Sequence, residues 1–220
     1  MNSTANPADR AALSGPLAGA SFISSLVALN ALSEVRYPMP GSDPRAVTSY
    51  FSQEHRAARL GAAAQLACAG FVGVFTRSVA RLAGRATPHP ARLRAAALTG
   101  SSLAAASLTT SALTTVALTT KWARDDAGAT SLYRLMFVTG GPVHGFGLGL
   151  LVGALGLSGL RTGGLPDRLS KAALISSVAG ALSPVALVGK PGIVFIPLGR
   201  LSALGVIGIA GARLARGKGR

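Results

Sequence analysis

The sequence predicts an all-α fold: a polytopic membrane helix bundle of six transmembrane helices, with both termini in the cytoplasm (N-in/C-in). Three observations predict it. Of the 220 residues 49% are hydrophobic, and mean hydropathy is +0.45. Only 13% are charged, about half the usual share of a soluble domain. The charges are also clustered, leaving long stretches with no Asp, Glu, Lys or Arg. Roughly 20 such residues cross a hydrocarbon core of about 30 Å. The expected organisation is a short cytoplasmic tail (1–10), a membrane domain (11–214) and a basic cytoplasmic tail (215–220).

The opening "MNSTANPADR" has no cationic n-region, and the apolar run after it is too long for the h-region of a secretory signal. Residues 11–33 are therefore read as an uncleaved first span. A polar connection follows, broken by Pro38, Pro40 and Gly41. Asp43-Pro44 then offers an N-cap with proline at the first helical position. A helix starting there is expected to lie amphipathically at the membrane surface and run on into the second span, 57–77. Arg77, Arg81, Arg85, Arg92 and Arg94 make an acid-free basic loop interrupted by "TPHP".

The third span, 95–120, repeats leucine every five residues at Leu98, Leu103, Leu108, Leu113 and Leu118. A period of five spreads the leucines around a helix instead of striping it. Its many Ser and Thr hydroxyls are expected to bond the carbonyl four residues back, which makes them tolerable in lipid. The fourth span, 132–158, contains "GGPVHGFGLGLLVG". The fifth, 171–189, holds Pro184, and the sixth, 193–214, holds Pro197 and Arg200.

Net charge is +15. The arginines sit between apolar runs and not on one basic face with stacking aromatics, which argues against nucleic acid. They fit instead a topogenic role, with anionic lipid as the partner of the cytoplasmic loops. With both termini inside, thirteen Lys and Arg fall in cytoplasmic segments and eight outside. Most of the acids (Glu34, Asp43, Glu54, Asp125 and Asp126) also fall outside.

Four glycines spaced by four, Gly141, Gly145, Gly149 and Gly153, form a ladder of the kind that lets membrane helices approach closely. His144 borders that groove, about 60° around the helix from Gly141. Arg200 lies inside an apolar run with no acid beside it. Such a charge costs at least ~2.5 kcal/mol at the centre of a membrane helix. Pro197 is expected to free a backbone carbonyl near it. Under the N-in arrangement, Gln65, Arg200 and His144 fall at comparable depth from the outer surface, with Asn30 and Glu34 closer to it. These five are the candidate polar cluster or ligand-binding set.

Cys68 is the only cysteine, so neither an intrachain disulfide nor a thiolate cage can form. One histidine in the spans cannot give bis-histidine ligation, and the spans hold no carboxylate; no metal or other cofactor is expected. Without a nucleophile, carboxylate pair or metal cage, an enzyme is the least favoured class.

The stretches "YFSQEHR", "LYRLMFVTGGPVHGFGLGLLVGA" and "FIPLGRLSALG" resemble a group of uncharacterised six-helix integral membrane proteins common in actinobacteria. That resemblance spans most of the chain and implies the six-helix architecture and a bacterial plasma-membrane location. The group has no established activity, so it implies no catalytic residues. The residues themselves favour a binding or transport module for a small polar or anionic solute. The alternative is a structural or regulatory subunit that packs against a second copy or a membrane partner through its glycine ladder.

Overall fold

The computed structural model describes residues 9–39, 41–120 and 126–217; of Asp126, Lys190 and Pro191 only the backbone is described. The expected N-terminal tail up to residue 8, residues 218–220 of the basic tail, and Lys121 and Arg124 of the topology count lie outside these residues.

All the regular structure among the described residues is helical, with no strand. Helix α1 (Ser14–Ala31) is extended at its start by a 3₁₀ turn, Arg10–Leu13. Helix α2 (Pro44–Gln53) precedes α3 (His55–Gly84) and α4 (Pro90–Leu118). Helix α5 (Asp126–Val138) passes through a π-helical turn, Thr139–Val143, into α6 (His144–Thr162). Helix α7 (Asp167–Ala181) leads through 3₁₀ turns at Ser183–Leu187 and Lys190–Val194 into α8 (Phe195–Ala215). Six stretches are long and apolar enough to cross a membrane: Arg10–Ala31, His55–Gly84, Pro90–Leu118, Ala127–Thr162, Asp167–Leu187 and Gly192–Ala215.

The spans form a closed ring. Each packs on the next, α1 on α3, α3 on α4, α4 on α6, α6 on α7 and α7 on α8, and α8 returns to α1. Helix α6 also touches α3 and α8, and its span is the most buried of the six. The closure is antiparallel: Gly211 of α8 lies against Ala12 and Gly15, while Gly19 faces Leu204. Small residues set the spacing. A Cβ at Gly100 would come within 2.7 Å of the Leu151 amide, and one at Gly147 within 2.6 Å of the Ala104 amide. Backbones of α4 and α6 are thus in direct contact, the packing that substitutes for a hydrophobic drive in lipid.

The exterior is apolar. Leu17, Leu66, Leu113, Leu157, Ile175 and Ile209, one on each spanning element, are exposed. A soluble domain rarely leaves so continuous an apolar surface.

Helix α4 follows its reading from composition. Leu108 and Leu118 are buried whereas Leu98 and Leu113 are exposed, so the five-residue period does spread leucine around the helix. Thr110, Thr114 and Thr115 each donate to the carbonyl four residues back, at 3.0, 2.7 and 2.9 Å.

Prolines account for three departures. Pro142 lacks an N–H and its ring crowds the carbonyl four residues back, and here the helix widens into a π turn. Pro184 ends α-helical geometry at Ala181, and the fifth span finishes as 3₁₀. Pro197 occupies the third position of α8, in the first turn, where N–H groups lack intrahelical acceptors anyway. Its missing N–H therefore removes no hydrogen bond from the interior of α8 around Arg200.

The surface helix also differs from expectation. Asp43 caps α2 as predicted, accepting from the Arg45 amide at 2.8 Å. The helix does not run on into the second span, however, because it breaks at Glu54 (φ −98°, ψ 29°). There the Glu54 carboxylate accepts the amides of Glu34 and Val35, at 2.9 and 3.0 Å. The break lets α2 turn its apolar face, Val47, Tyr50 and Phe51, onto Ala129, Tyr133 and Met136 as a second small core.

Candidate functional site

A cavity of about 250 Å³ lies inside the ring, at the end away from the termini. Its walls come from α1 (Phe22, Asn30), α3 (Gln65), α4 (Ser111), α5 and the π turn (Tyr133, Met136, Gly140), and α8 (Ile196, Arg200). The connection 32–43 contributes Tyr37, Pro38 and Met39. Tyr133 ties this connection down by donating its hydroxyl to the Pro38 carbonyl at 2.7 Å. Ser111 donates to the Met136 carbonyl at 3.2 Å, holding α4 to the end of α5 just before the π turn.

Arg200 is the only charged side chain on these walls among the described residues. Its Cζ lies 4.4 Å from the centroid of the Phe22 ring, within cation–π range. Its Nε is buried and has no hydrogen-bond partner. The Gln65 side chain on α3 likewise leaves its Oε1 buried and unpaired. Both atoms are buried and unpaired on residues that line the cavity.

The five residues singled out from sequence separate into two groups. Arg200, Gln65 and Asn30 share the cavity. Asn30 already donates to the Leu26 carbonyl at 2.9 Å, so it is a rim group. His144 does not line the cavity. It is fully buried, with Nδ1–H donating to the Ala104 carbonyl at 2.9 Å and its ring stacked on Phe22 at 6.5 Å between centroids. His144 and Arg200 both contact the Phe22 ring. Glu34 is exposed and absent from the walls; it enters the architecture through its backbone amide, bonded to Glu54.

The chain matches no protein-family model, no curated protein and no solved structure. What it can do must be argued from its own geometry.

The glycine ladder is occupied from within the chain. A Cβ at Gly145 would fall 2.5 Å from the Ser183 hydroxyl, one at Gly149 3.0 Å from the Ala181 amide, and one at Gly153 2.6 Å from the Ser177 hydroxyl. Gly141 faces Ile196. The groove is filled by α7 and its 3₁₀ continuation at Gly145, Gly149 and Gly153, and by α8 at Gly141.

Several wall residues escaped the sequence. Phe22, Tyr133 and Met136 read locally as ordinary apolar positions, and nothing local distinguishes them. Tyr37 offered a weak signal, as an aromatic beside two prolines in an otherwise polar connection. In the folded chain burial pushes its phenol well above the usual tyrosine range; Tyr133 and Tyr50 add to this and Arg200 works against it. Tyr37 and Arg200 line the same cavity, one from the connection and one from α8.

Proposed function

We propose that this chain is a multi-pass protein of the bacterial plasma membrane, with both termini in the cytoplasm, that binds or transports a small anionic or polar solute. The cavity around Arg200 and Gln65 is the binding site, opening toward the outer half of the bilayer. One observation carries the reading: a guanidinium stands in an apolar wall with its Nε unpaired, in a cavity lined by no carboxylate among the described residues. The side chain as a whole is partly buried, but its buried Nε has no protein partner; a buried polar group needs one, and an anion is the partner this wall lacks. Size narrows the class, since about 250 Å³ is below the roughly 300–1,000 Å³ of drug-sized sites. Phe22, Met136 and Ile196 supply apolar contacts, and Gln65 and Ser111 supply polar ones that would orient the solute.

Thermal unfolding of the purified protein in neutral detergent tests this against small anions: phosphate, sulfate, short carboxylates and amino acids. A ligand at 100 times its Kd is expected to add about 2.7 kcal/mol, and Arg200→Gln should abolish that shift while leaving the unliganded midpoint close to wild type. No saturable shift with any compound, or a shift unchanged in Arg200→Gln, overturns the reading. Uptake of the bound compound into proteoliposomes then separates transport from binding.

A further inference from the structure

The opposite end of the bundle, where the two described chain ends meet, carries a second cavity of about 780 Å³. Positive charge predominates on its walls. Arg10, Arg81, Arg161 and Arg213 come to it from four different spans, and Arg85 lies beside them. Asp9 is the only carboxylate on its walls among the described residues, and it is already engaged by Arg81. Arg161 is oriented by donating to the Pro88 carbonyl at 2.6 Å.

A topogenic role explains why arginines gather at one end of the spans. It does not require that they converge on one concavity, and it says nothing of Ser78. That residue, on α3, is 2% exposed, lines the same cavity, and leaves its hydroxyl with no protein partner. Thr76, two residues earlier, returns its hydroxyl to its own helix; Ser25, Ser158 and Ser170 are buried and unpaired like Ser78, but of these four only Ser78 lines this cavity.

We infer that this basic cavity is a binding site for a multiply anionic phosphate group, held by Arg81, Arg161 and Arg213 with Ser78 donating a hydrogen bond. Guanidinium forks match phosphate oxygens two at a time. Leu82 and Leu214 on the same walls offer apolar surface where acyl chains would begin. The same chemistry suits a phospholipid headgroup or a soluble phosphate ester. The site is independent of the Arg200 cavity and stands if that one binds nothing.

The test uses the full chain in neutral detergent with two probes. Pyrophosphate is titrated by calorimetry at moderate and high salt, and phosphatidylglycerol retention is followed by native mass spectrometry against a phosphatidylcholine background. Wild type is compared with Arg81→Gln/Arg213→Gln, with Ser78→Ala, and with Arg92→Gln, whose exposed side chain lies off the cavity. Saturation at one equivalent is expected for at least one probe, weakened about tenfold or more in the double variant and severalfold in Ser78→Ala, but unchanged in Arg92→Gln. Lipid retention without pyrophosphate binding assigns a headgroup, and the reverse assigns a soluble phosphate; each upholds the site. Failure of both probes to saturate overturns it, as does an equal loss in Arg92→Gln, which would mark diffuse charge attraction. If the double variant does not fold, Ser78→Ala against Arg92→Gln decides by the same criterion.

Discussion

Single glycines decide how closely this bundle closes, and they are not equivalent. A methyl at position 147 would meet the Ala104 amide at 2.6 Å and the Gly100 carbonyl at 2.8 Å, both backbone atoms that cannot rotate away. Gly147→Ala is therefore expected to destabilise by about 1–3 kcal/mol, as overpacking does. Gly73 has no heavy atom within 4 Å of its virtual Cβ, so Gly73→Ala should be neutral or stabilising by up to about 1 kcal/mol through helix propensity. Thermal unfolding of both in one detergent checks the pair, and equal destabilisation would contradict the packing described. Legibility differs in the same way. Arg200 stood out in the sequence because a charge inside an apolar run is anomalous wherever it points. Its neighbour Phe22 did not, because a contact between the first and last spans leaves no trace in either one alone.

At the scale of elements, the parts written by local rules were legible and those set by distant partners were not. The Asp43 cap and the six apolar runs follow from neighbouring residues. The break at Glu54 depends on amides about twenty positions earlier in the chain, and the π turn depends on how the helix accommodates Pro142 rather than on any residue pattern. The cap built by 32–54 carries its own titratable signature. Burial raises the Tyr50 phenol above its ordinary value of 10.0, opposed by the bond to Ser33, and Tyr37 is raised further. A folded value above the unfolded one stabilises fully below pH 10 and loses that contribution as pH climbs through the folded value. The unfolding midpoint is thus expected to hold up to about pH 10 and to fall above it, by less in Tyr37→Phe. Tyrosinate absorbance should rise late in the native protein. An ordinary titration near pH 10 with no change in midpoint would mean that the cap is open to solvent.

The whole molecule is a ring with two unlike ends, a tyrosine-rich cap over a small cavity with one cation and an arginine-rich basin beside both described chain ends. An apolar exterior and an even number of spans place those chain ends together, but only charge distribution says which side they face. Arg10, Arg77, Arg81, Arg85, Arg161 and Arg213 crowd one end, and positive charge is retained in the cytoplasm. The test starts from Cys68→Ala, since Cys68 is buried and the only cysteine. Single cysteines then replace exposed Ser52 on the cap and exposed Arg92 at the basic end. In intact cells a membrane-impermeant maleimide should label Ser52→Cys, and should reach Arg92→Cys only after permeabilisation. The reverse pattern would invert the orientation without altering either cavity, and with it the compartment supplying each ligand: the Arg200 cavity would then draw its solute from the cytoplasm, and the basin would meet the outer leaflet.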